Sequence, residues 1–335
     1  MGAKLRQILI GPFEMLLEPQ RRIYWFHLLA ALLFAIGVWA LIERKRGRSS
    51  LGAYLFSPRI WLHRSSRFDL KWMFVRGAVN PFLWFPLKIS AVQLALHEAA
   101  WMRERVGMPS WESPLDRGWI VVGFTVALFL ADDFTRYLLH LLMHRVPALW
   151  ELHKVHHSAQ VLTPLTLYRV HPIESALNNL RGVLTLGVVS GLFVWAFPGR
   201  IRGWEILGVD ALGMIWSALG SNLRHSMVWL TWTRPLEHVL LSPAQHQVHH
   251  GRAERYWNKN FGSALALWDW LGGSLWIASG TERPRRLGLP RGERLNQHGV
   301  LDAIVAPVLA AARVLVRPLW TRKPTVVEGR RQPNG

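Results

Sequence analysis

Apolar residues gather in long runs along this chain of 335 residues. The two strongest runs are 23–42 (IYWFHLLAALLFAIGVWALI) and 118–139 (GWIVVGFTVALFLADDFTRYLL), and each has about the length of a helix that crosses a bilayer. Two shorter runs, 182–198 and 204–220, flank a Pro-Gly turn and predict a helical hairpin that is short for a full crossing. The pattern therefore predicts an all-α, multi-span integral membrane helical bundle.

A weaker apolar segment, 79–101, contains two prolines, a lysine and a glutamate, so the sequence leaves open whether it crosses the bilayer or re-enters on the same side. Residues 264–277 are rich in tryptophan and predict an interfacial or core-packed segment. An apolar helix is expected over 300–316, and a disordered basic tail over 321–335.

The net charge of +19 raises two classes, a nucleic-acid-binding protein and a membrane protein with basic loops. Nine lysine and arginine residues lie within 43–76, directly after the first apolar run. The chain lacks a zinc finger, an RNP motif and an aromatic-basic strand pattern, so a membrane protein is favoured and no nucleic-acid partner is expected. By the positive-inside rule, residues 43–76 face the cytoplasm.

That orientation also predicts, without reference to the histidines themselves, on which side of the membrane they lie. If 79–101 leads outward and 118–139 returns, the segments that follow 139 and 220 both lie on the cytoplasmic side. Those segments carry the histidine clusters, so hydropathy alone predicts a cytoplasmic histidine-rich cap. The prediction depends on 79–101, because the parity changes if that segment does not cross.

Three clusters hold eight of the fifteen histidines, with spacings that place them on helix faces. The clusters are His140-x3-His144, His153-x2-His156-His157 and His246-x2-His249-His250. Imidazole binds iron, zinc, copper and nickel through nitrogen, and eight imidazoles are enough for two ions.

Cysteine is absent, which excludes disulfides, thiolate-bound zinc and iron–sulfur clusters. No flavin or dinucleotide motif is present, so redox chemistry would need electrons from a separate protein. A hydrolytic zinc site uses about three protein ligands and an open position, fewer than this chain offers. Two irons fit the count best, and a zinc-dependent membrane hydrolase or a metal-handling protein is the alternative.

The three clusters also carry a family resemblance. HLLMH, HKVHH and HQVHH, in this order on a multi-span chain, resemble the fatty acid hydroxylase / sterol desaturase superfamily of membrane di-iron enzymes over about residues 118–277. Supporting motifs are Asp133-Phe134, the HPIE at 171–174, SPAQHQVHH, NFG, and Trp268-Asp269. The resemblance implies two Fe ions and no further catalytic side chains, with metal ligands His140, His144, His153, His156, His157, His225, His246, His249 and His250.

Other polar residues receive supporting roles. Asp133 lies two helical turns before His140, so it is expected either to orient a ligand imidazole or to form a structural ion pair; Asp132 and Arg136 are spaced to pair. The resemblance offers Glu174 and Asn222 as further supports. It leaves His171 open as a ligand or as a helix cap.

The chain departs from the family pattern at two places. Leu141 follows the first histidine where many members have arginine, and Leu271-Gly272-Gly273-Ser274 stands where many have Phe-Gly-Thr. Neither position is a ligand, so the departures leave the subfamily open.

The expected domains are an N-terminal membrane region with a basic cytoplasmic loop (1–117), a catalytic domain (118–277) and a basic C-terminal region (278–335). The expected activity is hydroxylation or desaturation of a lipid C–H bond with O2 and electrons from a separate donor protein. A multi-pass location with the site on the cytoplasmic face is expected, with a bacterial inner membrane favoured. The identity of the lipid, the choice between the two reactions and the oligomeric state stay open.

Overall fold

The computed structural model describes residues 14, 16–18, 22–45, 47, 50–84, 90–109, 114–202, 211–290, 292, 293, 295 and 299–316. These ranges are helical and contain no β-strand, only isolated bridges between Leu240 and Leu265 and between Gly251 and Leu287. The predicted all-α class is confirmed. The predicted basic tail, 321–335, lies outside the described residues.

The α-helices of the described ranges are numbered in chain order. They are α1 (Trp25–Val38, continued by a π-helical turn at Trp39–Glu43), α2 (Leu51–Leu55), α3 (Pro58–Trp61), α4 (Arg64–Trp84), α5 (Ala91–Arg105), α6 (Arg117–Arg145), α7 (Pro147–His157), α8 (Pro172–Ala196), α9 (Ala211–Ala218), α10 (Pro243–His249), α11 (Leu267–Leu271) and α12 (Val300–Val316). Short 3-10 turns lie at Pro164–Tyr168, Ser221–His225, Leu236–His238 and Glu254–Tyr256.

Three helices are long and apolar enough to cross a membrane: α1 with its π-turn, α6 and α8. Only 22%, 17% and 22% of the residues in their most apolar windows are buried inside the protein. Leu29, Leu130 and Leu184 are among their exposed side chains. Such surfaces are stable only against an apolar surrounding, which supports the predicted membrane bundle.

Helix α8 is longer than the apolar run 182–198 suggested. It begins at Pro172, where the missing proline N–H costs nothing in the first turn, and the His171 imidazole caps it by accepting a hydrogen bond from the Ile173 amide (3.2 Å). Its 25 residues are enough to cross a bilayer. The hydropathy signal missed the first turns because they carry polar side chains.

The ambiguous segment 79–101 divides between two helices, α4 and α5, with 85–89 outside the described residues. Helix α5 packs closely along α8, with Leu94 against Gly187 and Glu98 against Gly191. Because both contacts advance in the same direction along the two chains, α5 and α8 run parallel.

Helix α6 runs antiparallel to α8. The Thr135 and Thr185 hydroxyls are 3.0 Å apart, and the Phe124 and Phe193 rings pack edge to face at 5.3 Å further along. The chain therefore moves away from the end of α6 that carries His140 along α5, returns along α6, and leaves again along α8. We term that end of the bundle the histidine end.

The beginning of α4 also lies at the histidine end. Phe68 and Trp72 stack on each other and share an apolar cluster with Val155 of α7 and Ala303 of α12. Trp72 donates its indole N–H to the Val170 carbonyl (3.1 Å). Part of the basic region 43–76 therefore lies beside the histidines, as the sequence-based topology requires.

Helix α1 lies against the histidine-bearing segment along much of its length. The Asn222 side chain donates to the Arg22 carbonyl (2.6 Å) just before the helix, and Ala31 and Val38 share a cluster with Leu223 and Val228. The N-terminal region is thus part of the structure around the histidines and does more than anchor it.

The close contact between α5 and α8 generates a stability prediction. A side chain at Gly191 would overlap Glu98 and the Ala95 carbonyl, because its first carbon would lie 2.6 Å from Glu98 Oε2 and 3.0 Å from the Ala95 oxygen. We expect Gly191→Leu to push the helices apart and to destabilise the fold by about 1–3 kcal/mol. The measurement is the thermal unfolding midpoint of the detergent-purified protein.

Gly182→Leu is the matched control, because it makes the same change on the same helix where no atom lies within 4 Å of the added carbon. Its midpoint should stay within error of the parent. Equal midpoints for both variants would contradict this packing.

Candidate metal centre

Nine histidines converge in two adjoining groups, in each of which one ring nitrogen per residue lies within 4.8 Å of the others. The five-histidine group is His140, His144, His153, His157 and His249, and the four-histidine group is His156, His225, His246 and His250. All nine positions that the sequence proposed as ligands are in these groups. Their role as ligands stays a proposal.

Each His-x2-His-His box divides between the groups. On α7, His153 and His157 enter the five-histidine group while His156 enters the other. On α10 the division is reversed, so that His246 and His250 lie in the four-histidine group and His249 in the five-histidine group. In each box, the two histidines that are four positions apart lie in the same group. The histidine three positions after the first lies in the other group.

The remaining three histidines come from α6 and from a 3-10 turn. His140 and His144 are four apart on α6 and complete the five-histidine group. His225 ends the turn Ser221–His225, which follows Gly220 in the left-handed conformation (φ 85°). Phe34 of α1 lies against that glycine, so a side chain there would meet both backbone strain and a clash.

Hydrogen bonds fix the orientation of four imidazoles. The Nδ1–H groups of His140 and His249 donate to the carbonyls of Phe261 and Lys259, both at 2.7 Å. His153 Nδ1 donates to Glu174 (2.8 Å) and His156 Nδ1 to the Arg169 carbonyl (3.3 Å). With the proton held on Nδ1, the lone pair lies on Nε2, the arrangement expected of metal-binding histidines.

The Nε2 atoms point into the groups and have little else to bind. Those of His140, His153 and His249 are buried and have no hydrogen-bond partner among the described residues. In the four-histidine group, His225 Nε2 lies 3.2 Å from His156 Nε2 and 3.0 Å from His246 Nε2. Buried nitrogens are costly when left unsatisfied, which indicates a ligand for them.

The two groups fit metal ions in size and in chemistry. Metal–nitrogen bonds of about 2.1 Å place nitrogens on opposite sides of one ion about 4.2 Å apart, close to the 4.8 Å limit within each group. A set of neutral imidazoles without carboxylate in contact with the ion favours iron, zinc, copper or nickel over magnesium or calcium. Both groups can therefore hold a transition metal.

Burial favours the neutral form of five of these imidazoles. It lowers the pKa of His249 to about 3, and it lowers the pKa values of His156, His157, His246 and His250 well below the usual value, with the charge of neighbouring histidines adding to the effect. Only the neutral ring has a free lone pair, so the set is ready to bind metal at neutral pH.

The loop 258–262 carries two of the anchoring carbonyls. Asn258 and Asn260 both adopt φ of 56°, which asparagine tolerates better than most residues. The Asn260 amide donates to the Gln245 carbonyl (2.9 Å), and the Asp269 carboxylate accepts from the amides of Phe261 (2.8 Å) and Gly262 (2.7 Å). The NFG and Trp-Asp motifs thus hold the carbonyls that orient His140 and His249.

Among the described residues, Asp133 contacts no imidazole and forms no ion pair, the two roles that the sequence left open. Its two oxygens accept from the Ala264 amide (2.7 Å), the Leu265 amide (3.0 Å) and the Trp268 indole (3.0 Å). It therefore fastens the segment after the NFG loop to α6. Neighbouring Asp132 pairs with Arg136 (2.6 Å) as predicted, and with Arg181 as well (2.8 Å).

The other supporting residues are now placed. Glu174 contacts a histidine, as anticipated. Asn222 does not, since its side chain bonds to the Arg22 carbonyl. His171 lies outside both groups, and each of its ring nitrogens has a partner, Nδ1 in the cap of α8 and Nε2 on the Ile304 carbonyl (2.9 Å). It is a helix cap in this structure.

Sequence reasoning missed a buried ion pair behind His156. Arg169 is fully buried and binds Asp69 of α4 (2.5 Å), the Ser158 hydroxyl (3.0 Å) and the Ser65 carbonyl (2.6 Å). Its own carbonyl accepts from His156. No local sequence pattern predicts this network, because Asp69 and Arg169 are 100 positions apart.

A cavity of about 140 Å³ opens beside the groups. Histidines from both border it, His140 and His153 from one and His225 and His246 from the other. A molecule in this cavity would lie next to both groups at once.

Comparison with known proteins agrees with this geometry. Residues 125–274 match the model of the fatty acid hydroxylase family. Human alkylglycerol monooxygenase is 26% identical over 53% of this chain and 35% of its own length. The Δ(7)-sterol 5(6)-desaturase of Eremothecium gossypii is 32% identical over 47% of this chain and 39% of its own. For the ornithine lipid hydroxylase OlsE of Rhizobium tropici the figures are 27%, 46% and 41%.

The chain thus spans less than half of the length of these curated relatives, and no solved structure matches it. The matched residues contain all nine clustered histidines and the NFG loop. Residues 125–274 are therefore similar to fatty acid hydroxylase domains, and the similarity extends to curated members of the superfamily of fatty acid hydroxylases and sterol desaturases.

Proposed function

We propose that this protein is a membrane-bound non-haem di-iron oxygenase that hydroxylates or desaturates a C–H bond of a lipid. The observation that supports it most is the division of nine imidazoles, seven of them buried, into two adjoining groups, each of a size for one ion. The relatives are named as a monooxygenase, a desaturase and a hydroxylase, which agrees with this proposal. A single hydrolytic zinc would leave most of these histidines without a role.

Iron held by these nitrogens would supply the oxidising power that breaks an unactivated C–H bond with O2. The overall reaction consumes one O2, two electrons and two protons, and gives an alcohol with one water or an alkene with two. The chain carries no cysteine and no recognisable electron carrier, so we assign the electrons to a separate donor protein.

The residues around the histidines then have three roles. The anchoring carbonyls and Glu174 hold each imidazole in one orientation with its lone pair inward. The buried shell excludes water from the groups. The cavity positions the reacting carbon beside both groups, and that position decides between hydroxylation and desaturation.

We also propose a multi-pass arrangement with the histidine end on the cytoplasmic side, in a bacterial inner membrane. The distribution of charge supports this orientation, since basic residues of α4 lie at the same end as the histidines and basic segments stay in the cytoplasm. The exposed faces of α6 and α8 would meet lipid, which brings the substrate to the bundle from the side.

The iron assignment has a direct test. We expect about two irons per chain in the purified protein, and loss of iron and turnover in His249→Ala and in His246→Ala, one change in each group. Elemental analysis and turnover of a membrane lipid extract are the measurements. His97→Gln is the control, because His97 is exposed and its one partner among the described residues is the Gln93 carbonyl of its own helix (2.7 Å).

Zinc at one per chain with no uptake of iron under reducing conditions would overturn the proposal. Full iron in both variants would overturn the ligand assignment alone.

The roles of Glu174 and Asp133 can be separated. Glu174→Ala removes the acceptor of His153 and should weaken iron affinity by about 10–100-fold, while Glu174→Gln keeps an oxygen there and should lose less. Asp133→Asn should instead lower the unfolding midpoint, because Asp133 holds the segment at 264–268 and touches no histidine.

Iron dissociation constants and unfolding midpoints, measured on the same preparations, check both statements. A weaker iron affinity in Asp133→Asn with an unchanged midpoint would restore the original expectation for that residue.

A further inference from the structure

The cavity beside the histidines is positively charged beyond what the metal centre needs. Three arginines line it, Arg22, Arg136 and Arg224, against Glu174 as the one carboxylate among its described lining residues. Glu174 is engaged by His153, and Arg136 is paired with Asp132. Among the described residues, neither Arg22 nor Arg224 forms an ion pair with a carboxylate.

Arg224 is the unusual member of this set. It is only 2% exposed, donates through Nε to the Ser221 carbonyl (3.1 Å) and through Nη1 to the Ser263 carbonyl, and its buried Nη2 has no partner among the described residues. No carboxylate of the described chain forms an ion pair with it.

Arg169 shows how this fold treats a buried arginine of structural purpose. It is equally inaccessible, but Asp69 neutralises it and its other nitrogens bind Ser65 and Ser158. A buried charge without such compensation is costly and is retained where a ligand completes it. Arg22, which donates to the Ser263 hydroxyl (3.2 Å) on the same side of the cavity, adds a second guanidinium.

We propose that Arg224 and Arg22 bind an anionic oxygen group of the substrate, a carboxylate or a phosphate. Guanidinium groups bind both with paired, charge-assisted hydrogen bonds. The inference rests on the proposed function and narrows its substrate to a lipid with an anionic group.

The position of the cavity also places the reaction on that lipid. Its volume of about 140 Å³ is below the roughly 300–1,000 Å³ of pockets that enclose a whole ligand, so it holds a head group and the first carbons of a chain. Since the same cavity borders both histidine groups, the oxidised carbon lies a few bonds from the anionic group and far from the end of the tail.

The test compares matched single-chain lipids on the iron-loaded protein in neutral detergent. The probes are oleate, 1-oleoylglycerol 3-phosphate, neutral 1-oleoylglycerol and inorganic phosphate, with binding followed by the shift of the unfolding midpoint over a titration. We expect at least one anionic lipid to bind about tenfold or more tightly than 1-oleoylglycerol. Preference for oleate indicates a carboxylate, and preference for the phosphate lipid or for inorganic phosphate indicates a phosphate site.

Arg224→Met should abolish that preference while iron content stays at the parent level. Should Arg224→Met fail to fold, Arg22→Gln tests the same site at a residue whose side chain makes one hydrogen bond among the described residues. Arg255→Met is the matched control: it removes one positive charge from an exposed arginine outside the cavity lining and should keep the preference, which separates the site from general attraction to a basic protein.

Equal binding of the neutral and anionic lipids by the parent overturns the inference, and so does an unchanged preference in the folded arginine variants. Turnover of a neutral lipid with no anion preference would leave the proposed function intact. A preserved preference in a protein that oxidises no lipid would leave the anion site intact and remove the proposed function.

Discussion

The structure depends on holding nine imidazoles together with one nitrogen of each pointing inward, although seven of the nine are buried. A ring that loses its hydration needs other hydrogen-bond partners. By itself it would turn its nitrogens towards any partner available. The fold supplies acceptors for the outer N–H groups, chiefly the carbonyls of Phe261, Lys259 and Arg169. With these N–H groups bonded, the lone pairs on the other ring nitrogens point into the groups. The surrounding elements are arranged to keep those acceptors in place.

Three separate parts of the chain supply that support. The NFG loop is held by Asn260 and Asp269, the following segment is tied to α6 by Asp133, and the carbonyl of Arg169 is held through the ion pair with Asp69 of α4. These residues touch no metal-facing nitrogen. Their effect on the centre is positional, and it extends the functional unit beyond 125–274 into the N-terminal region.

Much of the centre was predictable because its information is local. Spacings of three and four, read on helices, identified the histidines, and runs of apolar residues identified two of the three long helices as full crossings. The full length of α8 was not predictable from hydropathy, since its first turns are polar and are set by the His171 cap. The partners of Asp133, Arg169 and Arg224 were not predictable either, because tertiary packing alone brings residues about 40–130 positions apart together. Spacing also could not say how a His-x2-His-His box divides, as both later histidines share a face with the first.

That division ties the two groups together through the covalent chain. His156 and His157 are consecutive but belong to different groups, and so are His249 and His250. Consecutive Cα atoms are held about 3.8 Å apart by the peptide bond. Two peptide linkages, one in α7 and one at the end of α10, therefore join the two groups covalently. A displacement of α7 or α10 would carry histidines of both groups together, so the backbone itself limits how far the two groups can separate.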